Sequence, residues 1–238
     1  LYIQGPLQDH RSGSNEQYPL KVLANSWMGG ILIEDLSIRH FALWRDERLS
    51  KVKPNTIMRE LRILRVLLDW AKDELGCQLN SNPARELKVR GASDARAPYI
   101  TPSQKKKLLT ALGQSKNPNH KRLTQLALTT GMRRSELLSM KWDDLDLDNK
   151  LVHLSRKNCA ARGLATSKRL VPLSSKSIEL LNNYPKTTNK VIDLSIGAAR
   201  HGFNRARTIA SLPNLRFHDL RHIAISSMWA EGMNSLEI

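Results

Sequence analysis

A chain of 238 residues is long enough for one large domain or two modest ones, and its formal net charge of +16 points to a polyanionic partner. Its two cysteines, Cys77 and Cys159, have neither a second Cys nor a His at metal-ligand spacing, so no metal site is expected and both read as reduced thiols of a cytoplasmic protein. No apolar run approaches a membrane span, and the first fifteen residues are too polar for a signal peptide.

Residues 1–19 hold Gly-Pro, Ser-Gly-Ser-Asn and Tyr-Pro and read as loop or a frayed end. A helix is predicted from about Ser37 to Ser50, with Ile38, Phe41, Ala42 and Leu49 as its apolar side. Pro54-Asn55-Thr56 starts a clearer one, in which Ile57, Leu61, Leu64, Leu68, Ala71 and Leu75 recur at helical spacing until Gly76 stops it. Its opposite side carries Arg59, Arg62 and Lys72, ordinarily a solvated face. Asn82-Pro83 breaks the pattern, and the stretch from Arg90 to Pro98 reads as a linker. Two domains are therefore expected, 1–97 and 98–238. The charge divides unevenly between them: residues 1–97 carry 15 Lys and Arg against 12 Asp and Glu, a net of +3, while residues 98–238 carry 23 against 10, a net of +13.

The second half opens on a capping box, Thr101-Pro102-Ser103-Gln104, followed by Lys105-Lys106-Lys107, a run that suits either plain solvated surface or a helix beside a nucleic-acid backbone. Leu145 to Leu154 reads as strand, turn, strand, and Arg169 to Leu173 supplies a third strand. The acids Asp144, Asp146 and Asp148 do not make a calcium loop, because the closing position is Ser155 and the glycine position is Asn149.

Two clusters carry chemistry. The first is Thr130-Gly131-Met132-Arg133-Arg134-Ser135-Glu136, and the second is Phe217-His218-Asp219-Leu220-Arg221-His222. Arg is a planar fork matching two phosphate oxygens and stays charged at working pH. His218 and Arg221, three apart, share one face of a helix. Two such forks and a histidine suit a pentacoordinate phosphorus without a metal ion. Glu136, one turn after Arg133, either orients a guanidinium or pairs on the helix surface with Lys141 or Arg134.

In order and spacing these segments resemble the tyrosine recombinase (phage integrase) family. Thr130 to Leu138, followed by Lys141-Trp142-Asp143-Asp144-Leu145-Asp146, is similar to its first arginine box. Arg169-Leu170-Val171-Pro172-Leu173 is similar to the second strand of its β-hairpin, and His218 to His222 to its second box. The likeness runs from about Leu36 to the end.

The resemblance implies a mainly α fold with a small β-sheet. An N-terminal helical core-binding (SAM-like) domain would precede a mixed α/β catalytic domain, the two closing as a C-shaped clamp on double-stranded DNA. It implies site-specific recombination through a 3′-phosphotyrosyl intermediate, with neither ATP nor a metal and no other cofactor. It also implies homo-oligomers, a dimer per site and a tetramer per synapse. The implied catalytic set is Arg133, Lys157, His218 and Arg221, with Glu136 and His222 supporting. Implied DNA contacts are Arg59, Arg62, Lys105, Lys106 and Arg134.

The hairpin lysine, which protonates the leaving 5′ oxygen, is best matched by Lys157, with Lys168 as the alternative; the turn between them, around Cys159-Ala160-Ala161-Arg162-Gly163, is enlarged. The family's tyrosine box follows the second arginine by about twenty residues, yet Tyr2, Tyr18, Tyr99 and Tyr184 all precede it. The sequence is therefore expected to be either a piece of a recombinase lacking its nucleophile or a non-catalytic DNA-binding remnant. A helix-turn-helix regulator or another basic nucleic-acid binder is the remaining alternative.

Overall fold

The helical repeat that starts at Pro54 becomes the longest helix of a computed structural model, which describes residues 1–9, 13–79, 81–91, 98–155 and 168–233. The chain divides into two compact units, Leu1–Ala95 and Arg96–Ile238. Most of the described residues are helical, with a single three-stranded sheet. Among them no helix is long and apolar enough to cross a membrane.

In the first unit, α1 spans Gly13–Ala24, α2 Ile38–Leu49, α3 Pro54–Leu75 and α4 Pro83–Glu86. Along α3, Ile57, Leu61, Leu64, Leu68 and Ala71 are buried, and Gly76 ends the helix in the left-handed region at φ 66°. Leu75, in the last turn, is exposed. The predicted apolar side of α2 needs correction: Phe41 and Trp44 are buried, whereas Ile38 and Leu49 are exposed. The two aromatics carry the most apolar area and turn that side of the helix inward.

Residues 1–19 are also corrected. Pro6–Asp9 forms a 3-10 turn and α1 begins at Gly13, with Pro19 inside it. Tyr2, Leu7 and Leu20 are buried in the unit's core, and Tyr2 meets the Trp70 ring at 5.2 Å. Local breakers were outweighed there by burial of apolar side chains spaced too widely to show a period.

Polar devices tie the helices together. Arg48 holds Glu60 with one edge of its guanidinium, Nε to Oε2 and Nη2 to Oε1, and the side chains are only 12% and 2% exposed. At the predicted break, the Asn82 Oδ1 caps α4 by accepting from the Ala84 N–H at 3.1 Å, and its Nδ2 donates to Asp69 at 2.8 Å.

In the second unit, α5 covers Pro102–Gly113, α6 Asn119–Thr130, α7 Arg134–Ser139, α8 Ser175–Asn182, α9 Ile196–Ile209 and α10 Asp219–Ala230. The capping box that opens α5 is reciprocal: the Gln104 N–H donates to Thr101 Oγ1 at 3.2 Å, and the Thr101 N–H to Gln104 Oε1 at 2.8 Å. Strands β1 (Leu145–Asp146), β2 (Leu151–Ser155) and β3 (Lys168–Pro172) form an antiparallel sheet in that order. The register pairs Leu145 with Val152, Val152 with Val171 and Leu154 with Arg169.

The acidic stretch supplies the β1–β2 turn, where both Asp146 oxygens accept from Asn149 at 2.9 Å. Val152, Leu154, Val171 and Leu173 join Leu108, Leu112, Leu123, Leu126, Leu137 and Leu220 in one core. At the start of α6, His120 reaches Ser115 Oγ at 2.8 Å and the Ala198 carbonyl at 3.1 Å. Gly202 on α9 leaves room for that ring: a Cβ there would stand 2.4 Å from His120 Cδ2.

The linker residues 92–97, Cys159 and Lys157 lie outside the described residues.

Candidate functional site

The first arginine cluster is a helix end, a turn and a helix start. The α6 helix stops at Gly131, whose φ of 61° ends it in the left-handed region. Thr130 Oγ1 secures the turn by donating to the Leu126 carbonyl at 2.6 Å and accepting from the Met132 N–H at 3.3 Å. Met132 is buried and pins the segment to the core, which leaves Arg133 exposed as the N-cap of α7. Glu136, one turn on, accepts from the Arg133 N–H at 2.8 Å through Oε2 and pairs with Arg133 Nη1 at 3.1 Å through Oε1. The carboxylate thus caps the helix and aims the guanidinium together.

The second cluster starts α10. His218 is the N-cap and Arg221 lies in the first turn, its N–H donating to the His218 carbonyl at 3.2 Å. The Arg221 Nη1 donates to the carbonyl of Gly131, 90 positions earlier. Asp219 is buried and accepts from the Arg216 N–H at 2.8 Å, which holds the turn before the helix. Partial burial and the positive charges of Arg133 and Arg169 hold the Arg221 guanidinium below its ordinary pKa, with Glu136 acting in the opposite sense. That pattern puts three guanidinium groups within electrostatic reach of one another.

Arg169 is the member that the sequence reading passed over as a site residue. It stands in β3 opposite Leu154, with its Nη2 3.7 Å from Glu136 Oε2. A signal existed: Arg169, Val171 and Leu173 alternate along the strand, and Val171 and Leu173 are buried while Leu170 is exposed. An arginine in phase with the buried positions of a strand needs a partner.

The remaining predicted residues separate. His218 and His222 are exposed with rings edge to face at 5.4 Å. Arg134 is half-buried with its guanidinium 6.0 Å from the centre of the Phe217 ring, so it stacks on the residue before His218. Lys168 pairs through its backbone with Ser155 at the end of the hairpin. Lys105 is half-buried on α5, its ammonium pushed below the usual lysine range by burial and by the charge of Lys176, against a smaller opposing effect of Glu231. Glu231 caps the far end of α10 from Arg221, about 15 Å along the helix, so Lys105 is not part of the arginine cluster. Lys106 is exposed on α5. Arg59 and Arg62 are exposed on α3 of the first unit. Tyr184 is buried, its hydroxyl donating to the Arg122 carbonyl at 3.2 Å, and burial pushes its pKa well up.

The phage integrase family model matches residues 98–238, the stretch that holds all three arginines. The chain belongs to the phage integrase family. It is 29% identical over 240 residues to the shufflon-specific DNA recombinase of Escherichia coli, covering 96% of this chain and 58% of that protein. This integrase-family chain thus spans under two thirds of that relative's length. Among solved structures it resembles a lambda integrase dimer bound to a COC′ core site, with TM-score 0.75 and 18% identity over 96% of this chain and 86% of that one. It also resembles the Tn1549 transposon integrase in complex with circular intermediate DNA, with TM-score 0.72 and 18% identity over 95% of this chain and 83% of that one. Those two likenesses are of fold.

Proposed function

We propose that the second unit is the strand-cleaving and rejoining domain of a site-specific tyrosine recombinase, and that its arginine cluster grips the scissile phosphodiester. The observation that carries this is the bond from Arg221 to the Gly131 carbonyl, which brings the second box to within two residues of Arg133. In this reading Arg133 and Arg221 bind the nonbridging oxygens, where negative charge builds as phosphorus becomes pentacoordinate. Fixed cations aimed at those oxygens lower the barrier without rearranging during reaction. His218, exposed at the start of α10, donates a hydrogen bond to the phosphate or moves a proton. The nucleophile is a tyrosine hydroxyl that Tyr2, Tyr18, Tyr99 and Tyr184 do not supply; it loses its proton as it attacks phosphorus, the 5′ oxygen departs with a proton from Lys157, and a 3′-phosphotyrosyl link conserves the bond for rejoining. That conserved bond removes any need for ATP.

The partner is double-stranded DNA, bound as a dimer per site and a tetramer per synapse. The first unit supplies a basic helix face on α3, through Arg59 and Arg62. The family match, the recombinase relative and the DNA named for the two integrase structures support this reading. So does the concentration of charge, a net of +13, in residues 98–238.

Fluorescence anisotropy with a labelled 30-base-pair duplex tests it. Arg133→Ala and Arg221→Ala should each weaken binding about five- to thirtyfold, and Lys107→Ala less than threefold. Affinity should also fall steeply between 50 and 200 mM salt. Arginine variants that bind no worse than the Lys107 variant would sink the proposal in favour of a general basic binder.

A further inference from the structure

Glu136 has more positive neighbours than a helix cap requires. Its Oε1 takes Arg133 Nη1 at 3.1 Å, while its Oε2 takes the Arg133 N–H at 2.8 Å and also faces Arg169 Nη2 at 3.7 Å. The side chains of Glu136 and Arg169 are 22% and 25% exposed, so this charge pair is partly withdrawn from solvent, unlike Arg133 at 54%. Arg169 reaches Glu136 from the sheet, and Arg133 reaches it from α7. The carboxylate therefore joins the hairpin to the turn that carries the first box.

We infer that Arg169 is a positioning residue that sets Arg133 through Glu136, an inference that rests on the phosphate-gripping reading above. With Arg133 alone as counter-ion, the Glu136 carboxylate would hold the guanidinium against itself and cancel its charge. Arg169 takes up part of that negative charge, so Arg133 is aimed by Glu136 yet still presents a net positive field to an anion. The three guanidinium groups and one carboxylate then sum to +2, against +1 without Arg169. The strand position matters as much as the charge. Arg169 is paired with Leu154 across β2 and β3, so a shift of the hairpin moves the cation that balances Glu136. In this arrangement, docking of the hairpin and readiness of Arg133 are one event.

The test is NMR of the arginine Nε–H groups in the whole chain carrying isotope-labelled arginine, titrated with inorganic phosphate at constant ionic strength. Wild-type chain should show saturable shifts at Arg133 and Arg221. Arg169→Gln should weaken phosphate binding about tenfold and move the Arg133 signal in the free protein, and Arg169→Lys should recover binding to within about threefold, because a pair at this separation needs a charge rather than a fork. In a Glu136→Gln background the further effect of Arg169→Gln should drop below about twofold, since the route through Glu136 is gone.

An equal loss in both backgrounds would overturn the inference by assigning Arg169 to the anion directly. Failure of Arg169→Lys to recover binding would overturn it too, and that variant decides the matter if the glutamine variant does not fold. No saturable response at Arg133 or Arg221 in the wild-type chain would instead overturn the phosphate-gripping reading itself.

Discussion

The two units use arginine differently. In the first, Arg48 is paired with the buried Glu60, Arg85 with Asp69 at 2.6 Å, and Arg65 donates to the Ala84 carbonyl at 2.7 Å; each of these three guanidinium groups joins one helix to another. In the second, Arg133 and Arg169 share the Glu136 carboxylate with Arg221 nearby, and burial, reinforced by the charges of the other two, lowers the pKa of Arg221. Matched charges tie a fold together, whereas a cluster of like charges costs stability and persists where an anionic ligand compensates it. The contrast separates arginines whose charge is matched within the fold from arginines whose charge is left in surplus, and under the phosphate-gripping proposal the second group is the one that meets the anion.

Breaking the matched side should give the largest effect. Glu60→Ala leaves Arg48 enclosed without its counter-ion and should destabilise the first unit by about 3–5 kcal/mol, read by chemical denaturation. A loss below about 1 kcal/mol would mean that the pair is no better matched than a surface ion pair. Next comes the scaffold of the second unit. Gly202→Ala pushes a methyl into the His120 ring and disturbs its bonds to Ser115 and Ala198, for an expected cost of about 2–3 kcal/mol by thermal unfolding. Gly131→Ala should cost about 1 kcal/mol, because φ 61° strains any residue with a Cβ. It should also shift the Arg221 Nε–H signal, since the carbonyl that Arg221 grips belongs to that residue. An unmoved signal would show that the anchor tolerates the change.

The smallest effect sharpens the comparison through pH. The hydrogen bond from Arg85, aided by one from Asn82 and opposed by burial, holds the Asp69 carboxyl below its ordinary value of 3.8. A folded-state pKa below the unfolded one adds stability that is complete above the unfolded value and fades as pH falls through the folded one. The Asp69 contribution, at most about 1 kcal/mol, should therefore be intact at pH 6 and decline below about pH 4. Asp69→Asn should remove that part of the acid dependence, and an acid limb identical in the variant would show that Asp69 is not involved.

Much of the helical layout was legible from neighbouring residues. The α3 repeat with Gly76 at its end, the Thr101 and Gln104 capping box and the hairpin strands all depend on side chains within a turn or a strand of one another. The first nineteen residues were not legible, because their Gly, Ser and Pro signals are local while Tyr2 and Leu7 are ordered by a core assembled from α2 and α3. The stacking of Arg134 on Phe217 was not legible, because it depends on a segment far along the chain.

By itself the sequence determined which side chains were available: two arginine boxes of the right residue types in the right order, a carboxylate one turn after the first, and a charge concentrated in residues 98–238. Only the tertiary structure decided that Arg221 would meet the Gly131 carbonyl and that Arg169 would face Glu136. The reason is physical. Periodicity and capping act over a few residues, whereas contacts across tens of residues are chosen by how the helices and sheet bury their apolar faces, and that burial brings the charged groups along with it.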